Sequence, residues 1–138
     1  MTIGEIERQA RTILLDTNED GYRFTPTEIF LSLKSAVKRA RTMRPESKYV
    51  GCRLTGKPLL VDGDEEDFVV PTSFPATIHG KTFSLEAYRG IALNFETRWE
   101  EALVYYVVHQ MYLKDDADTT NANLAQTYFN YFTASLSA

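Results

Sequence analysis

Cysteine is almost missing from this chain. Cys52 is the only one in 138 residues, so no disulfide can close within it, and a four-cysteine zinc module is excluded. Histidine is nearly as scarce, with His79 and His109 alone. They lack the i, i+4 spacing and companion glutamate of a zinc-protease helix. No stretch approaches the roughly 18 uncharged apolar residues of a membrane-crossing helix. The opening MTIGEIERQARTILL carries charges every few residues and has no signal-peptide core. The expected setting is the reducing cytoplasm. The chain also lacks GxSxG, a P-loop and GxGxxG, the signatures of nucleophilic and nucleotide-dependent chemistry. The residues therefore support no enzymatic function and call for no cofactor.

What is present suits one globular domain, residues 1–138. Hydrophobic residues make up 43% and charged residues 25%, which places the chain among folded proteins rather than disordered ones. The net charge of −4 hides an asymmetry. Residues 1–61 hold eleven Lys/Arg against seven Asp/Glu, while residues 62–138 hold four against twelve. Such a split permits head-to-tail contact between copies. It is equally compatible with two solvated faces.

The helices announce their starts. Thr2 and Glu5 have the spacing of a capping box, and Ile3, Ile6, Ala10, Ile13 and Leu14 follow at helical period. DTNEDGYRF ends that helix, with Gly21 able to take positive φ. Thr25, Pro26 and Glu28 form a second box with proline at its favoured first position. Ile29, Phe30, Leu33, Val37 and Ala40 make the apolar stripe, and Pro45 stops the helix near Met43 or Arg44. Thr97 and Glu100 bracket a third box in TRWE. The helix after it is apolar nearly all round, from Trp99 to Tyr112. It is either central to its domain or pressed against neighbouring copies. A last helix begins near Asp118 or Thr119, with Ala122, Ala125, Tyr128, Phe129, Phe132 and Leu136 as its stripe.

Between these halves the pattern changes. Pro58, Pro71 and Pro75 forbid long central strands. YVGCRL and KPLLV flank Thr55-Gly56 as short extended pieces. Gly80 suits a hairpin turn in ATIHGKTFSL, and SLEAYRG suits a short helix. The expected fold is mainly α: a four-helix bundle with a small β-hairpin or loop insertion. Residues 1–45 and 96–138 are helical, and residues 46–95 form the insertion.

Four clusters bear on function. Asp115, Asp116 and Asp118 could offer oxygen ligands to a hard cation, but no glycine or downstream glutamate completes a calcium loop. They suit a cap and a helix-pole contact better, opposite Lys114 at the preceding helix's negative end. Asp62 to Asp67 fails the same template and suits an exposed loop. No metal site is expected from either. Cys52 and a histidine could pair as a nucleophile only if folding brought them together. Lys34, Lys38, Arg41 and Arg44 fall along one side of the second helix, with Arg39 nearby and Lys48, Arg53 and Lys57 continuing the run. That face could meet phosphates or an acidic protein rim. It also suits a solvated helix whose cations favour the C-terminal pole.

Three segments carry a family likeness: ARTILLDTNEDGYRFTPTEIFLSLKSAVKRARTMRPE, CRLTGKPLLVDG and WEEALVYYVVHQMYLKDDADTTNANLAQTYFNYFTASL. In their order and spacing they resemble the head-to-tail adaptor proteins of tailed bacteriophages, also called head-completion or connector proteins. The likeness lies in structural motifs: a capped second helix with an Arg-Pro stop, an EAL start, an apolar run and KDDAD. It covers about two thirds of the chain. The middle, residues 65–95, is more compact than the β-rich insertion of larger adaptors. The resemblance implies a virion structural protein, made in the host cytoplasm. It would assemble as a homo-oligomeric ring, commonly twelvefold, beneath the portal protein. The ring would extend the DNA channel without sequence-specific binding and carry the next neck or tail-completion protein. Family position puts portal docking on a tail within residues 127–138, at Tyr128, Phe129, Tyr131, Phe132 and Leu136. Tyr131 also lies off the helix's core stripe, as an aromatic anchor would. Two rivals are a small nucleic-acid-binding or regulatory protein using the basic face, and a metal-dependent hydrolase using the acidic cluster.

Overall fold

A computed structural model of the chain describes residues 1–18, 20–45, 49–52, 69–78, 80–114 and 119–137. Among these the fold is mainly α, with a small β insertion in mid-chain. Helices α1 (Ile3–Leu14) and α2 (Pro26–Met43) precede strand β1 (Tyr49–Cys52). Strands β2 (Ala76–Ile78) and β3 (Lys81–Phe83), the short helix α3 (Leu85–Arg89) and strand β4 (Leu93–Phe95) follow. A 3-10 turn, Thr97–Trp99, leads into α4 (Glu100–Lys114), and α5 (Thr119–Ser137) closes the order.

The first two helices begin as their sequences dictate. Thr2 accepts from the Glu5 N–H at 3.1 Å while Glu5 accepts from the Thr2 N–H at 3.3 Å. Thr25 and Glu28 repeat the exchange, with Pro26 at the first turn. Each box satisfies donors that a helix start otherwise orphans. These hydrogen bonds hold the Glu5 carboxyl below its ordinary range. Lys114, at the end of α4, reaches Glu28 at 3.6 Å and ties the two helix ends.

Two local details depart from what spacing offered. Helix α1 ends directly before DTNEDGYRF as expected, yet Gly21 does not use its permitted positive φ; Leu15 takes it, at 57°. The Asp16 carboxylate, fixed by three donors, pins the chain directly after the helix. A left-handed non-glycine residue costs about 1–2 kcal/mol, and that bonding offsets it. The Thr97 box does not form. The chain enters α4 through the 3-10 turn, with no side-chain cap, and the Trp99 N–H bonds the Glu96 carbonyl instead. The Glu100 carboxylate is taken by the Met1 ammonium at 2.6 Å.

Helix α4 is the axis, packed by α1, α2 and α5. Ala102, Leu103, Val104, Val107, Val108 and Met111 are all buried. These residues pack inside the chain, while Tyr105 and Tyr112 stay half-exposed and Leu113 is 51% exposed on the rest of the helix. Ile3, Ile6, Ala10, Ile29, Phe30, Leu33, Val37 and Ala40 close the core from α1 and α2. Ring contacts pair Tyr106 with Phe132 and His109 with Phe129, so α5 runs antiparallel to α4. Ala122 is exposed, and the buried stripe of α5 starts at Ala125.

Among the described residues the insertion holds two separate antiparallel pairs, β1 with β4 and β2 with β3. Ile78 faces Lys81 across a two-residue connection, and Gly80 there has φ 78°, as the hairpin requires. The chain start joins the insertion: the Ile3 N–H bonds the Ile91 carbonyl and the Leu93 N–H bonds that of Met1. Gly4 lets α3 approach closely, since a β-carbon there would stand 2.8 Å from the Arg89 β-carbon.

Candidate functional site

The aromatic residues of α4 and α5 sort onto two flanks. On one, Tyr106, His109, Phe129 and Phe132 stack inward. His109 Nδ1 bonds the Ala125 carbonyl at 2.8 Å, which requires the proton on that nitrogen. His109 is therefore a satisfied packing residue. On the other flank four tyrosines form a ladder. Tyr105 meets Tyr128 and Tyr131, and Tyr112 stacks on Tyr128. Tyr131 is 48% exposed. The Tyr105 hydroxyl donates to Glu101 at 2.8 Å, and that carboxylate holds the phenol's pKa above its usual value. Burial, then the neighbouring Tyr112 and Tyr131, raises that of Tyr128.

The five residues expected to dock a portal therefore divide. Tyr131 stands outermost with Tyr128 half-buried beside it, and Phe129 is half-buried on the opposite flank. Phe132 and Leu136 are sealed in the core at 0% and 1% exposure, so no partner reaches them without unfolding the bundle. Residues 127–137 are the second half of a core helix rather than a detachable tail. Removing them would expose α4.

The basic face divides too. Arg44 Nε donates to the Leu136 carbonyl, and its guanidinium lies 5.7 Å from the Trp99 ring. It latches α2 to the end of α5 instead of awaiting phosphate. Arg39 lies over Phe129 at 6.0 Å. Lys38 is exposed, while Lys34 and Arg41 are half-buried. Lys48, Arg53, Lys57, His79, Asp62 to Asp67 and Asp115 to Asp118 lie outside the described residues. Among the described residues no three His, Cys, Asp or Glu side chains gather as metal ligands.

Periodicity gave no sign of a third feature, a buried ionic network at the α1–α3 end. Glu7 and Arg11 are each 3% exposed, and Asp16 is 6%. Arg11 Nε donates to Glu7 at 2.9 Å, and Nη1 donates to Asp16 at 2.8 Å and to the Phe24 carbonyl at 2.9 Å. Arg89 grips Glu7 through two nitrogens, at 2.7 and 3.0 Å, and holds Glu86 at 2.8 Å. The Glu7 bonds keep the Arg89 guanidinium charged over a wider pH range than usual. The one available sequence signal was Glu7–Arg11 at i, i+4, a spacing common on solvated helices.

No family model, curated protein or solved structure matches the chain. Function has to be argued from these surfaces and from the likeness of the sequence to phage adaptors.

Proposed function

We propose that the chain is a non-enzymatic adaptor of a tailed-phage head–tail junction, assembling as a ring on the portal. The exposed tyrosine ladder of α4 and α5 supports this reading. Tyr131 presents an aromatic ring backed by Tyr105 and Tyr128. A rigid, half-exposed aromatic cluster is the composition of an interface centre, because rings bury much area for little lost side-chain entropy. Its place agrees with the docking position that the family likeness implies. The docking set is accordingly Tyr131 and Tyr128, without Phe129 on the opposite flank and without the buried Phe132 and Leu136. Association rests on that ladder, to which α4 contributes Tyr105 and Tyr112.

The test is to mix the protein with candidate portal rings and image the product by electron microscopy. An added ring of density on the portal is expected. A monodisperse subunit that leaves every portal bare overturns the assignment. Nucleic-acid binding by the basic face has lost one of its four cations, Arg44, to the α2–α5 latch.

A further inference from the structure

A cleft of about 690 Å³ opens between α1 and α3, with Arg8, Arg11, Thr12, Thr17, Tyr22 and Arg89 on its walls. Arg11 Nη2 is buried and has no hydrogen-bond partner. A buried donor left unpaired costs about 1–3 kcal/mol, so a folded protein rarely keeps one without use. Trp99 Nε1 is the other such atom among the described residues, but Trp99 is not on this cleft. The two buried acceptors beside it are heavily used: Glu7 already accepts from Arg11 and twice from Arg89, and Asp16 from Arg11 and two backbone N–H groups. Glu86 accepts from Arg89, and Glu5 from the cap at Thr2, and neither reaches Nη2.

We propose that the α1–α3 cleft binds a carboxylate, held between Arg11 Nη2 and the guanidinium of Arg8. The two arginines stand at i, i+3 on α1, a spacing that places side chains side by side. Arg8 is exposed and free to swing. Tyr22 stacks on the Arg11 guanidinium, 3.6 Å from ring centre to Cζ, and holds its plane in place. A planar carboxylate fits a guanidinium edge better than a tetrahedral anion does. Glu5, Glu7 and Glu86 on the same cleft also select against a dianion such as phosphate. The carboxylate belongs either to a free organic acid or to an acidic side chain of a protein partner. This site does not depend on ring assembly.

The test is NMR titration of the intact protein, following the Arg11 guanidinium and the amides of Thr17 and Tyr22. The probes are butyrate and an N-acetylated Gly-Glu-Gly amide, with butyramide and the Gly-Gln-Gly peptide as neutral controls. Saturable shifts with the acids and none with the amides are expected. Arg8→Gln, which sacrifices no hydrogen bond seen in the fold, should weaken binding by about tenfold. Tighter binding of the peptide assigns the site to a protein partner, and tighter binding of butyrate to a free acid. The proposal is overturned by no saturable shift at millimolar acid, by equal response to the amides, or by unchanged affinity in Arg8→Gln.

Discussion

The α1–α3 end and the α4–α5 flank solve the same packing problem with different physics. At the first, four charged side chains are buried or half-buried and locked by directional bonds: Glu7, Arg11, Asp16 and Arg89. At the second, rings meet rings in tilted and stacked pairs, and the polar tips stay near water. Removing one buried ion strands its partners in low dielectric, whereas trimming one outer ring mainly loses contact area. The first region should therefore be brittle and the second tolerant. A tolerant surface can vary to suit a partner without endangering the fold.

The largest expected effect is at Arg11. Arg11→Met leaves Glu7 and Asp16 short of a donor and should cost about 3–5 kcal/mol in urea unfolding. A loss below about 1 kcal/mol would show that the network is solvated and would erase the contrast. Next comes Gly4→Ala, where the new methyl meets the Arg89 β-carbon and carbonyl at 2.8 and 3.0 Å. Prying α3 from α1 should cost about 1–3 kcal/mol, visible as a lower urea midpoint. Equal stability would mean that α3 moves freely.

The smallest effect is in the tyrosine ladder at high pH. Tyr105 has a raised pKa in the fold, from Glu101 first and burial second. Its contribution to stability is full below the unfolded tyrosine pKa and is lost as pH rises through the folded value. Absorbance titration should find this tyrosine ionising after the exposed ones, and Glu101→Gln should bring it earlier. A Tyr105 that ionises at the ordinary phenol pKa in the parent protein would show that the Glu101 bond does not persist.

How far the sequence revealed this comparison follows from the kind of bond involved. Thr2–Glu5 and Thr25–Glu28 are local, and spacing alone specified both caps. The stripe Ile29, Phe30, Leu33, Val37, Ala40 is periodic and proved fully buried. Gly80 and the short helix at Leu85–Arg89 were likewise marked by local chemistry. The Thr97 box misled, because the 3-10 turn gives the Glu100 N–H the Thr97 carbonyl as its acceptor. The helix end before DTNEDGYRF was legible, but the left-handed residue is Leu15 because tertiary bonds at Asp16 fix the chain directly after the helix. Arg89 and Glu7 are 82 positions apart, and no periodicity carries that pairing. Phe132 and Tyr131 are adjacent aromatics with opposite fates, and only packing on α4 separates the core residue from the outer one.

The central claim is that the tyrosine ladder serves association while the fold rests elsewhere. Its most direct test is Tyr131→Ser, measured both for unfolding free energy and for attachment to portal rings. Stability within about 1 kcal/mol of the parent and lost attachment are expected. Undiminished attachment, or unfolding in place of detachment, would contradict it.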